Sequence, residues 1–215
     1  VGRTAVFGGS FNPVHFGHLL MADEMLERLH LDRVVFVPAA APPHKPASLL
    51  APAEHRHEMV KLAVEGHAGF EVSDIELRRR GPSFTVDTLE ALARAREDLF
   101  LLVGSETFLD LLSWRQPRRI VELARLVVVP RTGSAFDPES AAAQKVLREI
   151  GAERFVGADD VITPATVVVV HAVSLPISSS DLRARARAGR SLDYRVPDAV
   201  AAHIRRHGLY TGDAA

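Results

Sequence analysis

Short apolar runs rich in valine, leucine and phenylalanine alternate along the chain with stretches whose apolar residues recur at helical spacing. The runs at 4–7, 33–37, 70–77, 99–103, 126–129 and 166–171 read as strands. Leu19, Ala22, Leu26 and Leu29 share one helical face between the first two. Met59, Leu62 and Ala63 mark a helix before the third, and Val86, Leu89, Leu92 and Ala93 mark one before the fourth. This alternation is the pattern of an α/β fold: a parallel sheet of about six strands joined by crossover helices. Residues 180–188 and 197–207 predict two C-terminal helices, with Gly208 as a stop signal. Residues 132–164 carry the weakest pattern, a loop at 134–138 and a helix at 141–150, and read as a small insertion or lid. Nothing there marks a boundary, so residues 1–215 are expected to form a single domain.

Composition agrees. With 47% hydrophobic and 25% charged residues in 215, the chain can bury a large core, which excludes global disorder. The 27 acidic and 26 basic residues cancel, so no global field recruits nucleic acid or an anionic membrane. The absence of cysteine removes disulfides, thiolate metal sites and thiol nucleophiles. No apolar run approaches the roughly 18 residues of a membrane span, and residues from Val1 onward lack a leader pattern. The expectation is a cytoplasmic protein with small-molecule partners. Lys45, Lys61 and Lys145 are the only lysines, which leaves most anion contacts to arginine.

Chemistry concentrates in Gly8-Gly9-Ser10-Phe11-Asn12-Pro13-Val14-His15-Phe16-Gly17-His18, where a strand ends in two glycines and the chain turns into a helix. Glycines admit a ligand close to the backbone, and a helix start offers unpaired N–H groups with a positive dipole end. That is phosphate-binding architecture at the carboxyl edge of a parallel sheet. The spacing matches neither the dinucleotide fingerprint nor the P-loop. The pair His15 and His18 can face one ligand from a helix. The pair could also hold zinc, but no third ligand at helical spacing accompanies it, so an anion site is favoured and no metal ligand is assigned.

His15-Phe16-Gly17-His18 after Gly8-Gly9 resembles the H-x-G-H signature of the nucleotidyltransferase superfamily. Far downstream, Ile177-Ser178-Ser179-Ser180-Asp181-Leu182-Arg183 resembles its second signature, I-S-S-T-x-I-R. Val37-Pro38, Pro42-Pro43-His44-Lys45, Gly81 to Leu89, Trp114 and Tyr194 to Tyr210 narrow the likeness to the bacterial nicotinate-nucleotide adenylyltransferases. The resemblance implies a Rossmann-like, doubly wound sheet. It also implies adenylyl transfer from ATP, accompanied by Mg²⁺, to nicotinate mononucleotide. His15, His18, Lys45 and Arg183 are then the catalytic donors. Gly8, Gly9, Ser10, Phe11, His18, Gly104, Glu106, Ile177, Ser178, Ser179 and Arg183 would line the ATP side. Asn12, His44, Lys45, Phe84, Thr85, Trp114 and Arg131 would line the mononucleotide side, with Trp114 stacked on the pyridine ring. Asn12 stands where most of the family has Asp, Ser180 replaces Thr, and Glu106 replaces the family's G-x-D aspartate. Pro130-Arg131-Thr132-Gly133 replaces an R-P-G element.

The reaction needs no general base, because a mononucleotide phosphate is already an anion near neutral pH. Positioning and preorganised donors suffice. Rival readings are another acceptor (nicotinamide mononucleotide or phosphopantetheine), a regulatory module without catalysis, and an RNA-binding protein using Arg78-Arg79-Arg80. Retention of all four donors argues against the module, and the balanced charge with sparse aromatics argues against RNA. A homo-oligomer is compatible with the pattern.

Overall fold

The computed structural model describes residues 2–43, 45–93, 98–131, 133–173 and 175–212. Seven strands form one sheet: β1 (Arg3–Gly9), β2 (Arg33–Pro38), β3 (Phe70–Val72), β4 (Asp98–Gly104), β5 (Arg125–Val129), β6 (Arg154–Val156) and β7 (Thr166–Val169). Their spatial order is β3-β2-β1-β4-β5-β7-β6 and every pairing is parallel. Successive side chains of a strand face opposite sides of a sheet, so a strand covered on both faces must be apolar throughout. In β1, Ala5 and Phe7 join one core while Val6 joins the other. Helices α1 (Phe16–Arg28), α2 (Ala53–Val64), α7 (Ser179–Arg187) and α8 (Asp198–Arg206) cover the first face through Met25, Met59, Leu182 and Val200. Helices α3 (Thr85–Ala93), α4 (Ser105–Leu109), α5 (Pro117–Leu123) and α6 (Ala141–Ile150) cover the second through Leu89, Phe108, Ile120 and Val146. The sheet is therefore doubly wound. Its strand order reverses between β1 and β4, leaving a crevice at their carboxyl ends where ligands of open α/β sheets bind.

Three expectations change. The sheet has seven strands, because Arg154–Val156, inside the weakly patterned segment, pairs with β7 at the edge. Three residues on an edge, exposed to half-buried, carry too little pattern to be read. The run 70–77 yields a strand of only three residues. After Val72 the chain turns at Asp74 to Arg78, and Glu76 points inward to accept the Thr88 hydroxyl at 2.7 Å. The run 166–171 ends as strand at Val169. Helices α4 and α5, five and seven residues long, are shorter than a periodicity window detects.

The expected helix at 141–150 forms as α6, capped by the Ser140 hydroxyl on the Ala143 N–H and stopped by Gly151 at φ 85°. Phe155 of β6 meets Phe108 of α4 and Phe136 of the preceding loop edge-on, with centroids 5.5 and 6.2 Å away. That cluster ties residues 136–156 to the second core. Phe155→Ala should therefore lower global stability by about 2–4 kcal/mol in urea titrations, within one cooperative transition. An unchanged midpoint would mean that this segment opens on its own, as a lid does.

Candidate active site

At the end of β1 the backbone reverses sharply. Phe11 adopts φ 43° and sends its ring into the core against Phe7, Phe36 and the His18 ring, the last at 5.1 Å between centroids. A Cβ on Gly9 would lie 3.1 Å from that ring, so any larger residue there would press on Phe11. Phe11 thus offers a ligand only its backbone. Gly8 is exposed, with open space where a side chain would stand.

His15 is the N-cap of α1, with extended backbone at φ −151°. Its backbone N–H donates to Nδ1 of His18 at 3.2 Å, which places the proton of neutral His18 on Nε2. The two rings stack at 3.7 Å. A Cβ on Gly17 would come within 3.0 Å of His15 Nδ1, which gives the glycine of the H-x-G-H motif its steric reason. His15 is only 6% exposed and its Nδ1 has no hydrogen-bond partner among the described residues. Burial, and secondarily the Arg131 charge, lowers its pKa to about 4. Burial also holds His18 well below its ordinary value, reinforced by His15, Arg131 and Lys45. Lys45 is itself lowered, by burial and then by Arg183 and Arg56. Among the described residues, the charges acting on these three groups are positive. The site is a set of neutral and cationic donors awaiting an anion.

The second motif is clamped onto the first. Ser178 caps α7 through the Asp181 N–H, the Ser179 hydroxyl donates to the Pro13 carbonyl at 2.9 Å, and Arg183 Nη1 donates to the Asn12 carbonyl at 2.9 Å. Arg183 remains half-buried, with further N–H donors on its guanidinium. Ile177 packs half-buried against the first core, and the Ser180 hydroxyl lies 3.2 Å from that of Ser178.

The Asn12 side chain is engaged within the protein. Its Nδ2 donates to the Leu49 carbonyl, and Oδ1 accepts from the Ala51 N–H and the Tyr210 hydroxyl, all between 2.8 and 3.0 Å. A carboxylate could accept from Ala51 and Tyr210 but would oppose the Leu49 carbonyl, so an amide suits this setting. Arg56, which sequence reasoning passes over, lies beneath the same loops, 1% exposed. Its guanidinium donates to the carbonyls of Ser10, Ala39, Ala40 and Ala51 at 2.6 to 3.1 Å.

On the other side of the crevice, Ala41 and Ser83 exchange two hydrogen bonds, at 3.0 and 3.1 Å, joining the loop after β2 to the start of α3. Phe84 and Thr85 form that helix start, half-buried. Trp114 is half-buried against the second core, and its neighbour Arg115 lays its guanidinium 4.8 Å from the Phe84 ring centroid. Gly104 caps α4 at the end of β4, with Glu106 exposed in the first turn. Ser10 is half-buried and Arg131 exposed. A cleft lined by Gly17, Met21, Val129, Pro130, Arg131, Ala172 and Val173 opens beside the histidines. A larger groove, lined by Thr4, Arg33, Glu71 and Leu99 among others, holds none of these residues. His44 lies outside the described residues, and no helix among them is long and apolar enough to cross a membrane.

Residues 6–185 match the cytidylyltransferase-like family. A relative from Roseiflexus sp. (strain RS-1), named "Probable nicotinate-nucleotide adenylyltransferase", is 42% identical over 206 residues, covering 95% of this chain and 96% of its own. One of the same name from Thermus thermophilus is 41% identical, covering 97% of this chain and 99% of its own. Among solved structures, Plasmodium falciparum nicotinic acid mononucleotide adenylyltransferase complexed with NaAD has a TM-score of 0.73. It is 17% identical and covers 98% of each chain, a likeness of fold.

The buried histidines carry a stability signature. A folded-state pKa below the unfolded value of 6.5 means that the unfolded chain binds the extra proton. Stability from neutral His15 is complete above about pH 6.5 and is lost as the pH falls toward 4, roughly 3 kcal/mol over that window. Urea midpoints between pH 7.5 and 4.5 should fall less steeply for His15→Gln than for the parent chain. Parallel slopes would contradict a buried neutral imidazole.

Proposed function

The chain belongs to the nicotinate-nucleotide adenylyltransferases, within the cytidylyltransferase-like family, and from that premise we propose how its residues carry out the reaction. The acceptor is nicotinate mononucleotide. An oxygen of its 5′-phosphate attacks the α-phosphorus of ATP in line, a phosphoanhydride forms, and the bond to the β-phosphate breaks. The products are nicotinate adenine dinucleotide and pyrophosphate, which leaves with the displaced electron pair. No proton need be removed from the nucleophile.

One observation carries this reading: a buried histidine pair feels the cations Arg131 and Lys45, and Lys45 in turn feels Arg183, with no carboxylate among the charges the described residues bring to them. Charge developing on the α-phosphate and on pyrophosphate would be met by the N–H of His18, by His15, and by the Lys45 and Arg183 cations. A neutral imidazole donates without being first discharged by the phosphate. Magnesium would come with ATP as part of the substrate and supply further neutralisation of the phosphate charge, since this set of imidazoles and cations offers it no oxygen ligands.

Gly8, Gly9 and the backbone of Ser10 and Phe11 would border the nucleotide, with Ile177, Ser178 and Ser179 on the adenosine side. Glu106 would accept from ribose hydroxyls. Asn12 acts as a positioning residue, holding Arg183 through its carbonyl and the loop through its amide. Thr85 and Phe84 would receive the nicotinate carboxylate on helix-start N–H groups, and Trp114 would stack on the ring. Arg131 and Lys45, with His44 beside it, would hold the mononucleotide phosphate. The reading takes residues 1–215 as one domain working in the cytoplasm.

His18→Ala should cost roughly 10²–10³-fold in kcat, the scale of a lost preorganised donor, with little change in ATP affinity. Near-normal turnover would remove His18 from the chemistry. The acceptor pocket is tested by comparing nicotinate and nicotinamide mononucleotides at fixed MgATP, with products identified by mass. A neutral amide would aim its NH₂ at other donors, a mismatch of about 1–3 kcal/mol per group. With charge attraction added, kcat/KM should favour the acid by at least about a hundredfold. Equal constants would overturn the carboxylate pocket and leave adenylyl transfer standing.

A further inference from the structure

Within the first helical layer, α2 and α8 bring three more imidazoles together. His55 sits in the first turn of α2, and His203 and His207 lie one helical turn apart at the end of α8. Nδ1 of His55 is 3.0 Å from Nε2 of His203, and one ring nitrogen from each of the three lies within 4.8 Å of the others. Ring centroids are 5.2, 4.6 and 4.5 Å apart. His203 is buried, His55 half-buried and His207 exposed.

A hydrogen bond between His55 and His203 accounts for two rings and leaves the third unexplained. A tetrahedral zinc ion does account for all three. Zn–N bonds of about 2.0–2.1 Å place neighbouring ligand nitrogens roughly 3.3 Å apart. The His55–His203 pair is near that spacing already, and the His207 ring, being exposed, can turn to close the third edge.

We propose that His55, His203 and His207 form a binding site for a divalent transition metal of the zinc class. The ligand set decides the class: three imidazole nitrogens suit zinc, cobalt, nickel or copper, whereas magnesium and calcium require oxygen. The site thus differs in its ligands and its chemistry from any magnesium carried by ATP. Its structural effect follows from its neighbours. Arg56, next to His55, holds the loops after β1 and β2, and Tyr210, three residues past His207, bonds Asn12. A metal here staples the C-terminal helix to the helix that supports the phosphate loop.

The test uses the full chain, free of any affinity tag and stripped with chelator. Zn²⁺ is titrated against a competing colorimetric chelator, and Co²⁺ absorption is recorded separately. The proposal expects one equivalent bound per chain, visible cobalt bands of a four-coordinate site, and a melting temperature raised by about 5–10 °C at a hundredfold excess over Kd. His207→Gln, which touches no core, should weaken binding at least about tenfold, and His55→Gln with His207→Gln should abolish it. His18→Ala and His30→Gln should leave binding intact. Absence of stoichiometric binding at micromolar metal would overturn the proposal. So would binding that survives the double substitution or disappears with His18→Ala.

Discussion

The buried guanidinium of Arg56 is the contact on which the site's geometry rests. It reaches from α2 into the space under three stretches of chain and gives their carbonyls a charged partner. Ser10 belongs to the turn after β1, Ala39 and Ala40 to the loop after β2, and Ala51 to the approach to α2 itself. Each bond to a charged donor contributes on the order of 1.5–3 kcal/mol, and leaving the carbonyls bare would cost a similar amount apiece. A buried cation is expensive to desolvate, so it persists only where several dipoles point at it. Burial lowers its pKa, and Tyr210, Glu54 and Glu76 act against that shift from a distance. The same charge is felt by Lys45, so one residue both shapes the loop and adds to its positive field.

Around that anchor, pieces distant in sequence meet because the topology sends them to one edge. The carboxyl ends of β1 and β4 flank the point where strand order reverses, and α7 returns there to clamp Asn12 and Pro13. Asn12 joins three of these pieces at once through Leu49, Ala51 and Tyr210. The histidines are held neutral in this setting by burial among cations. They can therefore serve as donors without a carboxylate to hold them, and a carboxylate would repel the phosphates that the site is built to take.

Much of this is legible in the sequence, for physical reasons. Strands covered on both faces are apolar throughout, so β1, β2, β4 and β5 stand out, and the two glycines before His15 mark the turn that leads from β1 into α1. The edge strand β6 escapes such a reading because three half-covered residues carry little pattern, and β3 is read longer than its three residues. Phe11 looks like a ligand contact from its place in the motif, but its left-handed backbone turns the ring inward. Arg56 looks like any helix arginine, since nothing local reveals that its partners are carbonyls up to 46 residues away. The departure at Asn12 makes sense only with the Leu49 carbonyl in view. The imidazoles of α2 and α8 lie 148 residues apart across their closest contact, beyond the reach of any spacing rule.

The claim that a buried fork of donors sets the phosphate loop is tested most directly by Arg56→Lys. An ammonium keeps the charge but cannot span four carbonyls in one plane. Steady-state kcat/KM for ATP should be measured at a temperature where circular dichroism shows the variant fully folded. The account predicts a fall of at least about tenfold, since displacing the loop proposed to contact phosphate by a fraction of an ångström would misalign every donor it carries. A folded Lys variant with parental kcat/KM would contradict it.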